Sequence, residues 1–305
     1  MTTTTSRLLG IEERPAWQER PKAATEGAKG GAIVVILLLI LLPLYAIVLT
    51  SFSTQGSINQ AGGIVIWPHG LSLIAYKDVI SGGVVGRALL ISLAITAVGT
   101  LFSMVVTILA AYGMSRSESF GHRTILWIML VTMFFNGGII PFFLVVSALG
   151  GYDQYWALIA PAAVSVFNVI VMRSFFANTA QDLIDSARID GAGDWRILWR
   201  IVLPTSRAVT AVIALFYAVG YWNSWFNIML FMPSDSTKWP LQMVLYDYLT
   251  QNSQMVSAAA GFQNSVPTLA LQMAVVTITI VPVVIVYPFV QKHFSKGVLL
   301  GAVKG

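Results

Sequence analysis

The sequence predicts an all-α membrane protein with six transmembrane helices and both termini on the cytoplasmic side (N-in/C-in). Three observations predict it. The 305-residue chain is 56% hydrophobic and only 10% charged, with a mean hydropathy of +0.76, whereas a soluble globular domain carries about 25% charged residues. Six apolar stretches are each long enough for a bilayer core, which takes about 20 residues of helix. Lys and Arg fall unevenly on the segments between those stretches, as orienting cations do.

Residues 1–30 are polar, mixed in charge and rich in Thr, Ala and Pro. They are expected to form a cytoplasmic tail with too little apolar surface to fold alone. They do not read as a secretory signal, because the apolar run comes late, is long and has no small-residue cleavage site after it. Residues 31–305 are expected to form the transmembrane domain. Its predicted spans are Gly31–Thr50, Ala88–Tyr112, Ile125–Ser147, Tyr155–Phe176, Ala208–Met232 and Thr268–Val290. With the N-terminus inside, 15 of the 18 Lys and Arg residues lie on the inner side, 14 on inner segments and Arg173 at the inner end of the fourth span, and Lys77, Arg87 and Lys238 lie outside. The net charge of +5 is therefore a topology signal rather than a nucleic-acid surface.

The long outer loop 51–87 contains Gly62-Gly63 and Trp67-Pro68, and its spacing predicts a short amphipathic helix near Ser72–Ile80. It either merely connects or presents a surface to an external partner. In the second span Ser92, Thr96, Thr100, Ser103 and Thr107 fall on one helical face. Small hydroxyls of this kind let membrane helices pack closely and bond across, or they line a path. In the third span Asn136-Gly137-Gly138 followed by Pro141 predicts a kink or a break turned toward the bundle interior.

The most polar stretch between the spans runs over 178–204 and reads as helix, turn, helix. Thr179 with Asp182 makes a capping box, and Leu183, Ile184 and Ala187 form an apolar stripe. Asp190-Gly191-Ala192-Gly193 is the turn, since glycine tolerates positive φ at a helix end. Asp194 is expected to cap the second helix, with Trp195, Leu198, Trp199 and Val202 along one side and Pro204 at its end. This pair either rests on headgroups or docks in the groove of a soluble protein.

The fifth span ends in Tyr217, Tyr221, Trp222, Asn223, Ser224, Trp225 and Asn227. An interfacial aromatic belt accounts for the tryptophans. The amides fit lipid badly, so Asn223 and Asn227, one turn apart, are expected to face inward with Gln272 of the sixth span. Together with Tyr221 they are the candidate substrate path, since sugars take aromatic rings against their C–H faces and amides on their hydroxyls.

The chain has no cysteine, and its three histidines are scattered, which excludes thiolate chemistry and leaves no metal-ligand spacing. It has no phosphate-cradling G-x-x-x-x-G-K-[ST] run. All 13 acidic residues fall outside the predicted spans. Ion-coupled carriers usually keep an ionisable group at membrane depth, so the driving force is expected from another subunit.

The run Asp185–Trp195, DSARIDGAGDW, followed by Ile201-Val202-Leu203-Pro204, resembles the EAA loop of binding-protein-dependent ABC importer permeases. Gly191 falls on that motif's central glycine, Ala187 on the last alanine of EAA, and Leu203-Pro204 on its closing pair. Asp185 stands in place of the usual glutamate and Ser186 in place of alanine. Phe135-Asn136-Gly137-Gly138-Ile139-Ile140-Pro141, Tyr221-Trp222-Asn223-Ser224-Trp225-Phe226, Trp239-Pro240-Leu241-Gln242 and the terminal 296–305 segment are similar to the LplC/YtcP-like branch of carbohydrate-uptake class 1 permeases.

The resemblance implies a MetI-like type I transmembrane domain in which Asp185, Ser186, Ala187, Asp190, Gly191, Ala192, Leu203 and Pro204 belong to the loop that couples to the ATPase. It further implies a bacterial plasma-membrane permease subunit that carries a carbohydrate, most simply an oligosaccharide, by alternating access. The partners would be a second, different permease, two copies of a cytoplasmic ATPase and an extracytoplasmic solute-binding protein. The chain itself would be non-catalytic and without a cofactor. A permease for a non-sugar solute and a stand-alone secondary transporter are the alternatives.

Overall fold

The computed structural model describes residues 23–116, 119–135, 137–178, 181–250 and 269–302. Helix is the regular structure throughout them, apart from a single bridge between Ser53 and Leu71. Most of the expected tail, the Thr179 cap, Asn136, Thr268 and residues 303–305 lie outside the described residues.

Helix α1 (Ala23–Ser51) contains the first predicted span and reaches back into the expected tail. Its apolar residues from Ile33 to Leu42 are exposed, as suits a helix whose own backbone bonds are complete and whose side chains can meet lipid. The outer loop is not a bare connector. It folds into α2 (Gln55–Gln60), whose Ser57 N–H donates to the Thr54 hydroxyl, and α3 (Ile74–Ser81), which matches the predicted amphipathic helix. Tyr76 on α3 stacks on Phe52 at 4.8 Å and its hydroxyl meets Ser51 at 2.7 Å, while Val65 N–H donates to Thr50 at 2.9 Å.

The long α4 (Val84–Ser115) holds the second predicted span. It packs along α12 (Arg207–Trp222), α8 (Val166–Ala177) and α14 (Leu241–Thr250), and so forms the spine of the fold. The last helix, α15 (Leu269–Ala302), continues well past the predicted end at Val290, with Pro282 and Pro288 inside it, and packs on α1 and α12.

Three predicted spans are broken rather than continuous. The third divides into α5 (His122–Phe134) and α6 (Ile139–Ala148), bent by 119°. Gly138 in the gap has a φ of +84°, a region open to glycine and strained for other residues. The fourth divides into α7 (Trp156–Ile159) and α8, with Pro161 between them. Proline removes a donor and crowds the preceding turn, and the Ser165 hydroxyl then accepts from Asn168 N–H to restart the helix. The fifth stops at Trp222 and resumes as α13 (Phe226–Phe231), Asn and Ser being residues whose side chains compete with the helical backbone. Among the described residues three helices, α1, α4 and α15, are long and apolar enough to cross a membrane unbroken.

Candidate functional site

The 178–204 region forms α9 (Gln181–Ile189), α10 (Asp194–Ile197), a widened turn over Leu198–Val202 and α11 (Leu203–Thr205). The turn is closed by the backbone: Gly191 N–H donates to Arg188 O at 3.0 Å and Ala192 N–H to Ala187 O at 2.8 Å. That crossed pair, with Gly191 at φ +80°, ends α9 in a left-handed cap. A side chain at Gly191 would meet nothing within 4 Å, so the glycine is required by its dihedral and not by space.

Asp194 is not the cap residue. Gly193 occupies that position, and Asp194 is the first residue of α10, where its charge still suits the helix dipole. Its carboxylate instead pairs with Arg116 at the end of α4. The Tyr112 hydroxyl donates to Asp194 O at 3.1 Å, and the Arg116 guanidinium lies 4.5 Å from the Tyr112 ring centroid. From α8, Arg173 Nε donates to Met114 O at 2.8 Å. The 178–204 loop and the end of α4 are thus clasped together.

Nor do the four apolar residues of the second helix share one side. Leu198 and Val202 are each 1% exposed and lie in the core with Ile197, while Trp195 and Trp199 are 65% and 60% exposed. Ile197 and Ile201 are apolar too, so the set covers too wide an arc for one face, and the tryptophans are left outside it. Pro204 likewise does not end the helix. It sits inside α11, after a turn in which Leu203 N–H bonds back to Leu198 O. A widened turn gives room for a proline ring that would otherwise press on the preceding carbonyl. The chain then turns by 86° at Ser206 into α12.

Of the eight predicted loop residues, Asp185, Ser186, Asp190 and Gly191 are exposed on the outer side. Ala187, Ala192 and Leu203 pack against the core, and Pro204 is half-buried beside them. The outer side also carries Ile189, which is 87% exposed.

The predicted substrate-path residues are only partly brought together. Tyr221 and Asn227 line a cavity of about 340 Å³ with Leu158, Ala162, Ser165, Asn168, Phe216, Tyr217, Gly220 and Ser224. Asn227 also lines a second, more apolar cavity of about 640 Å³ at the bend between α5 and α6. Asn223 lines neither: the break after Trp222 removes the face that a continuous helix would give it with Asn227, and it is an exposed helix-end residue. Gln272 donates to Tyr248 O at 2.8 Å, tying α15 to α14 away from both cavities.

Sequence reasoning missed Ser165 and Asn168. The signal was present, a hydroxyl and an amide three residues apart beside Pro161 in an otherwise apolar stretch.

Three members of the α4 hydroxyl face bond to neighbours. Ser103 meets the Tyr221 hydroxyl at 2.8 Å, Thr107 meets that of Tyr217 at 2.7 Å, and Ser92 accepts from Leu241 N–H at 2.8 Å. The packing reading therefore holds for these three. The hydroxyls of Thr96 and Thr100 are buried without a partner among the described residues.

Comparison with known proteins agrees with this architecture. Residues 79–300 match the family described as binding-protein-dependent transport system inner membrane component. The polygalacturonan/rhamnogalacturonan transport system permease protein YtcP of Bacillus subtilis (strain 168) is 41% identical over 90% of this chain and 96% of its own length. The LplC protein of the same organism is 41% identical over 87% of this chain and 90% of its own. The diacetylchitobiose uptake system permease protein NgcG of Streptomyces coelicolor (strain ATCC BAA-471 / A3(2) / M145) is 26% identical over 88% and 86%. A chain from the crystal structure of a bacterial ABC transporter involved in the import of the acidic polysaccharide alginate superposes with a TM-score of 0.82 at 29% identity, covering 91% of this chain and 100% of that one. With its helical bundle, clasped loop and closely similar relatives, the chain belongs to the inner membrane components of binding-protein-dependent transport systems.

Proposed function

We propose that this permease subunit forms one half of a carbohydrate path across the membrane, driven by ATP that a separate subunit hydrolyses. The chain crosses the membrane six times, with both termini and the loop over 178–204 in the cytoplasm. Residues 31–305 are the permease domain and residues 1–30 a cytoplasmic tail. Three of the six crossings are broken helices, as the freed backbone of a wet path allows.

The observation that carries the coupling reading is the two-sided loop. One side, Ile184, Ile197, Leu198 and Val202, is buried in the core of the permease. The other leaves Ile189, Trp195 and Trp199 exposed beside Asp185, Ser186 and Asp190. Exposed aromatic and aliphatic side chains next to acids suit the cleft of a soluble ATPase better than water. Gly191 fixes the angle between the loop's two helices, and the corner at Ser206 passes their displacement to α12.

A carbohydrate is the solute that best fits the 340 Å³ cavity, which offers tyrosine rings with the amides of Asn168 and Asn227 and the hydroxyls of Ser165 and Ser224. Relatives named for polygalacturonan/rhamnogalacturonan and diacetylchitobiose transport support the same class. A second permease closes the other half of the path, two ATPases sit below, and an extracytoplasmic binding protein delivers the sugar.

Gentle extraction of the tagged chain from its own host, followed by mass spectrometry, tests the assembly. A second permease and a P-loop ATPase should co-purify, and adding sugar with its binding protein should raise ATP hydrolysis. A chain that purifies alone and transports in liposomes would overturn the reading.

A further inference from the structure

The break in the fourth span leaves backbone groups without helical partners. Ile159 ends α7, Ser165 precedes α8, and Pro161 lies between them. In a nonaqueous setting each such group needs a partner. Two come from tyrosines on another helix: the Tyr221 hydroxyl donates to Ile159 O at 3.1 Å, and the Tyr217 hydroxyl accepts from Ser165 N–H at 3.1 Å.

Tyr217 and Tyr221 are one turn apart on α12 and buried. Behind them stand Thr107 and Ser103, one turn apart on α4 and fully buried. Tyr221 has one hydrogen and gives it to Ile159, so Ser103 donates to the Tyr221 oxygen. Each rung therefore runs from α4 through a tyrosine of α12 to one edge of the break.

The seat of Tyr221 is shaped for it. A Cβ on Gly99 would lie 2.8 Å from the ring's Cε2 and Cζ. The same two rings, with Ser165, wall the 340 Å³ cavity. Meanwhile α12 begins at the 86° corner that ends the coupling loop.

We propose that Tyr217 and Tyr221 are the transmission residues of the permease, holding the break in the fourth span to α12 so that movement of the coupling loop reshapes the polar cavity. They are positioning residues, acting through the backbone they hold. The proposal rests on the coupling reading above.

The test uses the complete transporter, this chain with its co-purified subunits, in proteoliposomes. Tyr217→Phe, Tyr221→Phe and the double variant keep the rings and remove the hydroxyls. Uptake per ATP hydrolysed should fall about fivefold for each rung, the equivalent of one hydrogen bond. A merely structural role would lower the unfolding temperature and leave that ratio unchanged, which would overturn the proposal. If the tyrosine variants do not assemble, Ser103→Ala with Thr107→Ala decides, since it weakens both rungs from the α4 side: a lowered ratio supports the proposal and an unchanged one overturns it.

The chain has no native cysteine, so on this chain a spin label goes only where a cysteine is introduced. Spin labels at Val164→Cys in the break and Val219→Cys on α12, both exposed positions, should give one narrow distance distribution that broadens in the double Phe background. If the wild-type assembly neither hydrolyses ATP nor takes up sugar, the coupling reading fails by itself. The label distances then still decide the ladder, broadening supporting it and an unchanged distribution sinking it.

Discussion

At Gly191 the backbone alone sets the requirement. Its φ of +80° lies where alanine costs about 1 kcal/mol and proline cannot go, and its N–H is bonded to Arg188 O. Gly191→Ala should slow sugar uptake modestly, and Gly191→Pro should abolish it with the protein still in the membrane. Normal uptake by the Pro variant would remove this turn from the coupling path. The two asparagines of the fifth stretch separate in the same way. Asn227 lines both cavities and Asn223 neither, so Asn227→Ala should weaken sugar stimulation of ATP hydrolysis several-fold, about the value of one or two hydrogen bonds. Asn223→Ala should leave the half-saturating sugar concentration in place, and a larger effect at Asn223 than at Asn227 would reverse this assignment. Residue chemistry was legible in the sequence wherever a side chain has one demand, as with the positive φ at Gly191 or the closing glycine-proline run near Gly138. It was not legible at Asp194, because whether an acid caps a helix or starts it depends on one residue of register, and the partner that decides it, Arg116, is 78 residues away.

Among the elements, α4 carries both ends of the mechanism. Its middle holds Gly99 and Ser103 against α12, and its C-terminal end meets the 178–204 loop through Arg116 and Asp194. An ion pair with one partner two-thirds exposed contributes little to stability, so its value here is geometric, together with the bond from Tyr112 to Asp194 O. Arg116→Asp and Asp194→Arg should each lower uptake per ATP hydrolysed, and the charge-swapped double variant should recover part of the loss. Coupling as poor in the double variant as in the singles would show that the clasp transmits nothing. Hydropathy located all the apolar stretches, because burial and lipid both demand the same residues. It could not locate the breaks in the fourth and fifth, because a window average hardly registers one proline at 161 or an Asn-Ser pair at 223–224. The break in the fourth is held by hydroxyls from a distant helix, information that no local pattern holds.

For the molecule as a whole, the exposed apolar surface is divided between lipid and neighbours. Helix α5 has no buried residue of its own, and α1 is exposed along most of its apolar length, so both are free to meet acyl chains or another subunit. The core, in contrast, is continuous from Phe231 and Met232 at the end of α13 to Ile197 and Leu198 in the 178–204 loop. One feature of that core reaches beyond the protein. At a rise of 1.5 Å per residue the 32 residues of α4 are about 48 Å long, against a hydrocarbon thickness of about 30 Å. A rod so much longer than its slab answers thinner or thicker lipid by changing its tilt, and its C-terminal end is pinned to the 178–204 loop proposed above to meet the ATPase. Transport should therefore depend on acyl-chain length, passing through a maximum as vesicles are made from progressively longer lipids, and the membrane itself becomes a regulator of how tightly hydrolysis is geared to sugar.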